Sequence, residues 1–205
     1  MRILQNVSTH CYLFESAQAN EAWGRYTFLG YDPKLEINCI DGHMKLGKLS
    51  VETENPSEYI RQILSEYKSP KFDYLPSFTG GLVGYFSYDY LGYKEKSIRG
   101  KARDTEDFKD VDLMLFDKVI AFDNLCQKII LIANMSLDAP ETGYNKAIVE
   151  LKQLRELPMH GEKKQNMGGK LLGDVTPLFE KEQYCEIVEK VKHHIKEGDI
   201  FQIVL

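Results

Sequence analysis

The stretch LEINCIDGHMKL, residues 35–46, consists of two extended runs on either side of Asp41-Gly42. Asp-Gly is well suited to a two-residue hairpin turn, because both residues tolerate the positive φ angles that such a turn requires. The stretch therefore predicts an antiparallel β-hairpin with its turn at Asp41-Gly42.

Strand patterns also lie on both sides of this hairpin. RYTFLGY, residues 25–31, is rich in aromatic and β-branched residues and predicts a strand. DLMLFDKVIAFDNLCQKIILIAN, residues 112–134, predicts two strands linked around Asp123-Asn124. Because hairpins outnumber βαβ units, we expect an α+β fold, a largely antiparallel β-sheet or sandwich with flanking helices.

Three helices are predicted from apolar residues that recur at helical spacing. The first begins at Asn55-Pro56, where Glu58 can fold back as in a capping box. The second runs from about Glu141 to Leu157. The third runs from about Lys181 to Glu197, and Gly198 ends it.

The chain divides at a stretch without periodicity. Residues 158–174 are Gly-rich and polar and predict a linker between a domain at 1–157 and a second region at 175–205. The last eight residues, GDIFQIVL, predict a strand that enters a buried sheet, so we expect the chain to be the front part of a longer protein. We expect residues 200–205 to be disordered or paired with another copy, which makes self-association through this exposed strand possible.

Composition excludes several classes of function. Apolar residues make up 43% of the chain and the net charge is −5 without a basic stripe, which argues against a nucleic-acid partner. The apolar runs are too short to span a bilayer, so no membrane contact is expected. The four cysteines are far apart and His193-His194 point about 100° apart on a helix, so no metal site is predicted. We therefore expect the four thiols to be reduced and mostly buried, in a cytoplasmic protein.

The glycines of TGGLVGYFSYDY, residues 79–90, suggest a phosphate-binding loop or a structural segment. The spacing of Gly80, Gly81 and Gly84 does not fit a phosphate loop, since no Lys-Ser/Thr pair follows and the flanks are aromatic. Small residues that let a neighbouring element approach closely are the better interpretation, so this segment is expected to be scaffold.

FESAQANEAWGRYTFLG, residues 14–30, contains the candidate binding residues. If its two strand-like ends pair, Glu15, Ser16 and Thr27 could lie close together and hold the ammonium and carboxylate of an amino acid. Aromatic residues could wall the apolar side chain of that amino acid: Phe14, Trp23 and Tyr26. The alternative is a loop in which Glu15 pairs with Arg25.

Four stretches occur in the order found in the chorismate-utilising synthases: FESAQANEAWGRYTFLGYDP, SFTGGLVGYFSYDY, DLMLFDKVIAFDN and EQYCEIVEKVKHHIKEGDIFQIVL. The chain resembles this family over essentially its whole length, and within it most closely the anthranilate synthase component I branch. The family's E-S…G-R-Y-S-x-x-G pattern matches Glu15 to Gly30, with Thr27 replacing a serine. Its Y-x-x-x-V-x-x-x-K-x-x-I-x-x-G-D-I-F-Q-V-V pattern matches Tyr184 to Val204.

The resemblance implies that residues 1–157 form a regulatory domain that carries part of a tryptophan feedback site. The residues it places there are Glu15, Ser16 and Thr27 as effector contacts, with Phe14, Arg25 and Tyr26 as structural neighbours. Phe14 replaces a common leucine of the family, and the element that closes the far side of the site lies downstream of Leu205.

Residues 175–205 would be the start of the chorismate-binding catalytic domain. In the family the catalytic residues and the carboxylates that hold Mg²⁺ come after this region, so the resemblance implies no catalytic residue, no metal ligand and no activity in this chain by itself. Gln202 stands on the active-site strand where water-adding relatives carry a lysine base. Glutamine cannot take a proton from water, so the parent enzyme is expected to use ammonia.

The implied reaction is that of a lyase in tryptophan biosynthesis. Chorismate and ammonia give anthranilate and pyruvate, a glutamine amidotransferase subunit supplies the ammonia from glutamine, and Mg²⁺ is the cofactor. Two alternatives stay open: aminodeoxychorismate synthase component I of the p-aminobenzoate pathway, which shares this N-terminal architecture, and a non-enzymatic amino-acid-binding module.

Overall fold

A computed structural model of the chain describes residues 1–16, 24–98, 105–165 and 168–205. The chain forms two compact units, Met1–Gln165 and Asn166–Leu205, and the division between them falls inside the predicted linker. The regulatory and catalytic roles assigned to the two regions stay a prediction.

The first unit combines two sheets with helices. Its elements are α1 (Leu4–Val7), β1 (Cys11–Phe14), β2 (Tyr26–Tyr31), β3 (Leu35–Ile40), β4 (His43–Leu46), β5 (Leu49–Glu52), α2 (Pro56–Glu66), β6 (Gly81–Phe86), a 3₁₀ helix (Tyr88–Tyr93), β7 (Val111–Phe116), β8 (Lys118–Asp123), β9 (Lys128–Ala133) and α3 (Pro140–His160). The second unit contains α4 (Lys181–Glu197).

The strands of the first unit form two antiparallel sheets. Sheet A has the strand order β1-β2-β8-β9, and sheet B has the order β5-β4-β3-β7-β6. One side of sheet B packs its buried residues against Ile60 and Ile63 of α2. On sheet A, Leu29 and Ile120 form a buried cluster with Leu4 of α1 and Leu154 of α3. The predicted α+β fold, antiparallel sheet with flanking helices, is confirmed.

The predicted hairpin is present. Asp41 and Gly42 adopt positive φ angles of 49° and 83° between the paired residues Ile40 and His43. The hydroxyl of Tyr93 accepts a hydrogen bond from the Gly42 amide at 2.7 Å, which ties the turn to the 3₁₀ helix.

The prediction of two strands in residues 112–134 is wrong, because there are three: β7, β8 and β9. Asp117, the one residue between β7 and β8, takes the chain from sheet B to sheet A. Its carbonyl oxygen accepts hydrogen bonds from the Asn134 amide at 2.8 Å and from Asn134 Nδ2 at 3.0 Å. These bonds fix the corner, and no glycine or proline in the apolar run signals it.

The helices follow the prediction with small differences. In α2, Glu58 accepts a hydrogen bond from the Asn55 side-chain amide at 2.6 Å, so the expected capping box is replaced by a side-chain pair. The prediction that the next helix ends at Leu157 is three residues short, because α3 continues to His160 with Pro158 in its last turn.

The glycine-rich segment is scaffold, as predicted. Gly84 in β6 has φ 153°, and a Cβ atom there would overlap the carbonyl oxygen of Asp112 on β7. The close approach of the two backbones therefore requires glycine. Tyr88, which begins the 3₁₀ helix after β6, is 86% exposed.

In the second unit, α4 has the predicted bounds. Glu180 and Gln183 form a reciprocal capping box, and Gly198 ends the helix in the left-handed conformation at φ 83°. The predicted strand at residues 200–205 is wrong, because this segment pairs with no strand in the described part of the chain and a strand needs a partner for its backbone hydrogen bonds. Self-association through it stays a prediction.

The cysteines are free, but the expectation of mostly buried thiols is wrong. Cys39 is buried and Cys11 half-buried, whereas Cys126 and Cys185 are exposed. Within the described ranges, each helix is too short or too polar to cross a lipid bilayer.

Sheets A and B contact each other through an aromatic cluster around Tyr12. Its ring lies 4.8 Å from that of Phe116 on β7 and 5.2 Å from that of Phe14, measured between ring centroids. Gly30, the cross-strand partner of Tyr12, leaves room for the ring, since a Cβ there would overlap it. Among the described residues, the Tyr12 hydroxyl is a buried polar atom without a hydrogen-bond partner, and burial raises its pKa.

We expect Tyr12→Phe to increase the free energy of unfolding by about 1 kcal/mol, because the substitution removes a buried polar group that makes no hydrogen bond. Chemical denaturation monitored by circular dichroism measures this difference.

Tyr93→Phe is the matched control. The Tyr93 hydroxyl donates to Asp110 Oδ2 at 2.7 Å and accepts from the Gly42 amide, so the same chemical change should lower the free energy of unfolding by about 1 kcal/mol or more. A loss of stability in both variants would contradict the assignment of an unpaired hydroxyl at Tyr12.

Candidate functional site

The candidate site is built at one end of the β1–β2 pair. The two strands are antiparallel, with Phe14 opposite Phe28. Glu15 and Ser16 leave β1 at the end where Gly24 and Arg25 lead into β2, so the predicted pairing of these two stretches is confirmed. Antiparallel pairing thus brings together residues that are about ten positions apart in the sequence.

An open pocket of about 570 Å³ lies at this end of the strands. The residues that line it are Leu13, Phe14, Glu15, Ser16, Gly24, Tyr26, Phe28 and Phe78. The ring centroids of Tyr26 and Phe28 are 5.8 Å apart, and Phe78 meets Phe28 edge-on at 5.6 Å. The pocket therefore offers aromatic walls with a carboxylate and a hydroxyl at its edge, a combination that suits an amphipathic ligand with a cationic group.

Four of the predicted site residues meet in this pocket: Phe14, Glu15, Ser16 and Tyr26. Glu15 forms no ion pair with any described residue. Phe14 is 50% exposed, which leaves its ring accessible. Trp23, named as a possible wall, lies outside the described residues. Phe78 was not found from the sequence, because no local pattern connects it with the first two strands.

The structure does not bring Thr27 to the pocket. Side chains alternate along β2, so Thr27 and Leu29 point to the face opposite Tyr26 and Phe28. Leu29 belongs to the buried cluster formed with α3, and Thr27 is 8% exposed. Its hydroxyl accepts a hydrogen bond from Asn124 Nδ2 at 3.2 Å.

Arg25 pairs with Asp123 and not with Glu15, so the alternative pairing considered from the sequence is wrong. Arg25 Nε and Nη2 donate to Asp123 Oδ1 and Oδ2 at 3.1 and 2.6 Å. The Asp123 side chain is 5% exposed and that of Arg25 is 36% exposed. Two parallel charge-assisted hydrogen bonds make this a specific ion pair between a buried carboxylate and a partly exposed guanidinium.

The ion pair determines the ionisation of both groups. The hydrogen bonds from Arg25 hold the pKa of the Asp123 carboxyl well below its ordinary 3.8, against the opposing effect of burial, and the Cys126 amide lowers it further. The hydrogen bond to Asp123 raises the pKa of Arg25. Asp123 is therefore ionised throughout the neutral and mildly acidic range.

The turn that follows β8 is bonded to the start of β2. The Asn124 amide donates to the Arg25 carbonyl at 2.8 Å, while the amides of Leu125 and Cys126 donate to Asp123 Oδ1 at 3.2 and 3.0 Å. The sequence identified Asp123-Asn124 as a turn, but its contact with Arg25 spans 98 positions and has no local signal.

Other depressions are less suited to a ligand. One of about 650 Å³ follows a single exposed face of α4, where only one helix provides the wall. Another of about 600 Å³ is lined by Lys34, Asp117 and Asn134 among others, and their polar groups bond to one another: Lys34 Nζ lies 3.9 Å from Asp117 Oδ2. Gln202 is exposed in the second unit and lies in no strand.

No set of metal ligands was found in the described ranges, where no three side chains of His, Cys, Asp or Glu are grouped closely enough to hold an ion. The Mg²⁺ that the resemblance implies belongs to the whole enzyme, whose metal ligands the resemblance places after this region.

Comparison with known proteins connects the fold with one family. Residues 9–205 match the family model described as chorismate binding enzyme. Anthranilate synthase component 1 of Acinetobacter calcoaceticus is 34% identical, over 96% of this chain and 41% of the relative. Anthranilate synthase component 1 of Acetivibrio thermocellus is 31% identical, over 97% of this chain and 42% of the relative.

A solved structure shares the fold. The crystal structure of anthranilate synthase component I from Streptococcus pneumoniae TIGR4 superimposes with a TM-score of 0.57 at 23% identity, covering 90% of this chain and 41% of that one. The chain thus spans 41% to 42% of the length of these relatives.

The Arg25–Asp123 pair predicts a pH dependence of stability. Because the folded-state pKa of Asp123 lies below the unfolded value, the pair stabilises the fold fully above about pH 4 and loses this contribution as pH falls through the folded-state pKa. Arg25→Gln should therefore be less stable than the parent near pH 6, and the difference between the two denaturation midpoints should become smaller as pH falls from 4 to 2.

Lys96→Gln is the control, since Lys96 forms an exposed pair with Glu54 at 3.3 Å that should contribute little. Its midpoint is expected to follow that of the parent at every pH. A constant difference between Arg25→Gln and the parent down to pH 2 would show that Asp123 does not depend on Arg25.

Proposed function

The chain belongs to the chorismate binding enzyme family, and we propose that it corresponds to the N-terminal part of an anthranilate synthase component I. Two relatives that it matches over nearly its whole length carry that name, which supports this activity over the aminodeoxychorismate alternative. The match covers 41% of the first relative, so the activity proposed is that of a whole enzyme of which this chain would be one part.

In the proposed reaction ammonia adds to chorismate, the ring hydroxyl leaves as water, and elimination of pyruvate then gives anthranilate. The words "component 1" in the relatives' names support a second subunit, which we propose to be a glutamine amidotransferase that supplies the ammonia. Gln202, at the position of the lysine base in water-adding relatives, agrees with ammonia as the nucleophile. A cytoplasmic location and a requirement for Mg²⁺ in the whole enzyme belong to the same proposal.

We propose that the pocket at the end of β1 and β2 binds tryptophan as a feedback effector. One observation carries this assignment: the Glu15-Ser16 pair of the family pattern lies at the edge of an aromatic pocket. Glu15 suits the α-ammonium group, and the rings of Phe14, Tyr26 and Phe28 suit an indole. Direct contact of the effector with Thr27 stays a prediction, and the Thr27 hydroxyl is already bonded to Asn124.

The pocket is wide open, so affinity for tryptophan in this chain alone is expected to be weak. We also expect that this chain alone does not convert chorismate. An assay that detects anthranilate by its fluorescence measures this.

Titration of the isotope-labelled chain with L-tryptophan should shift the amide resonances of residues 14–16 and 24–28 in NMR spectra. Glu15→Gln should weaken binding about tenfold, because it removes the charge that faces the ammonium group. Ser16→Ala should weaken it less.

Glu52→Gln, which changes an 84% exposed carboxylate on sheet B, is the control and should leave the titration unchanged. Shifts elsewhere in the chain, or an unchanged affinity in Glu15→Gln, would contradict the assignment of this pocket as the effector site.

A further inference from the structure

We propose that Asp123 is a positioning residue of the effector pocket, which holds the Arg25 guanidinium against Tyr26 and away from Glu15. Glu15 then stays available for the cationic group of a ligand. The inference rests on the proposed function of the pocket, although its structural part can be tested without a ligand.

The first step is the position of Asp123. It is the last residue of β8 and lies directly opposite Tyr26 on β2. Cross-strand partners share a face of the sheet, so the carboxylate lies on the side that carries the pocket. Both of its oxygens are occupied by Arg25, and Oδ1 also accepts from the turn amides of Leu125 and Cys126.

The second step is the position of Arg25. Its two sequence neighbours, Gly24 and Tyr26, line the same pocket as Glu15. A long cationic side chain at this place therefore has two anionic candidates, Glu15 and Asp123. The structure shows the bidentate pair with Asp123, and the guanidinium carbon lies 4.9 Å from the centroid of the Tyr26 ring.

The third step is the consequence for the pocket. Arg25 held on Tyr26 stabilises an aromatic wall through a cation–π contact. If Arg25 turned to Glu15, it would neutralise the carboxylate that faces the ligand and compete with the ammonium group of an amino acid. Asp123 therefore favours binding without touching the ligand.

The test compares Asp123→Asn with the double variant Asp123→Asn/Arg25→Gln in the labelled chain without ligand. The single variant releases Arg25, so the resonances of Glu15 and Ser16 should shift. The double variant has no guanidinium to reach Glu15, so these resonances should return to their parent positions. A merely structural role predicts that the shifts persist in the double variant, and that result would overturn the proposal.

Two further variants complete the comparison. Asp32→Asn removes another carboxylate paired with a cation, Lys118 at 3.1 Å, and should leave Glu15 and Ser16 unshifted. Asp123→Glu keeps the charge and should preserve the parent resonances. If Asp123→Asn does not fold, Asp123→Ser, which keeps an acceptor for the turn amides, replaces it in both the single and the double variant.

Titration with L-tryptophan separates this inference from the proposed function. Asp123→Asn should bind about tenfold more weakly than the parent, and Asp32→Asn should bind equally well. A parent chain that does not bind tryptophan would contradict the proposed function, while the resonances of Glu15 and Ser16 would still decide the role of Asp123. If the parent chain binds tryptophan and Asp123→Asn binds it with equal affinity, the inference is overturned.

Discussion

The register of β1 against β2, with Phe14 opposite Phe28, is the constraint on which the rest of the first unit depends. It places Tyr12 over Gly30, where only a residue without a side chain leaves room for the ring that reaches Phe116 of the other sheet. It also brings the end of β1 beside the start of β2. If β1 were shifted by one residue against β2, the side chains of β1 that now share a face with Tyr26 and Phe28 would lie on the opposite face.

A short connection takes the chain from one sheet to the other. At Asp117 the chain leaves sheet B and enters sheet A within one residue, and the backbone and side-chain amides of Asn134 bind its carbonyl. This corner brings β8 beside β2, so Asp123 comes to lie opposite Tyr26. The Arg25–Asp123 ion pair at the pocket therefore depends on the connection between the sheets as well as on the local sequence.

Much of the fold could be predicted from local chemistry. The Asp41-Gly42 turn and the bounds of α4 carry their own signals, because positive φ angles and a helix-ending glycine depend on nearby residues. The corner at Asp117 could not be predicted, since the charged pair Asp117-Lys118 that interrupts the apolar run brings no glycine or proline, and a single strand can also contain such a pair. The strand at residues 200–205 failed because a strand forms only where a partner pairs with it.

The candidate site divides in the same way. Glu15 and Ser16 were predicted from the sequence because they follow a strand and match the family pattern, whereas Asp123 was missed because its partner is 98 positions away. The face on which Thr27 lies depends on register, which the residue pattern alone left open. This register thus builds the pocket from Phe14, Glu15 and Tyr26 and turns Thr27 away from it.

Cross-strand nuclear Overhauser effects between like backbone protons, Hα with Hα or amide with amide, test this arrangement most directly, because they connect residues that lie directly opposite each other. We expect effects that connect Phe14 with Phe28 and Tyr12 with Gly30. Effects that connect Phe14 with Thr27 would contradict it, because Thr27 would then share the face of Phe14 and the pocket would be built differently.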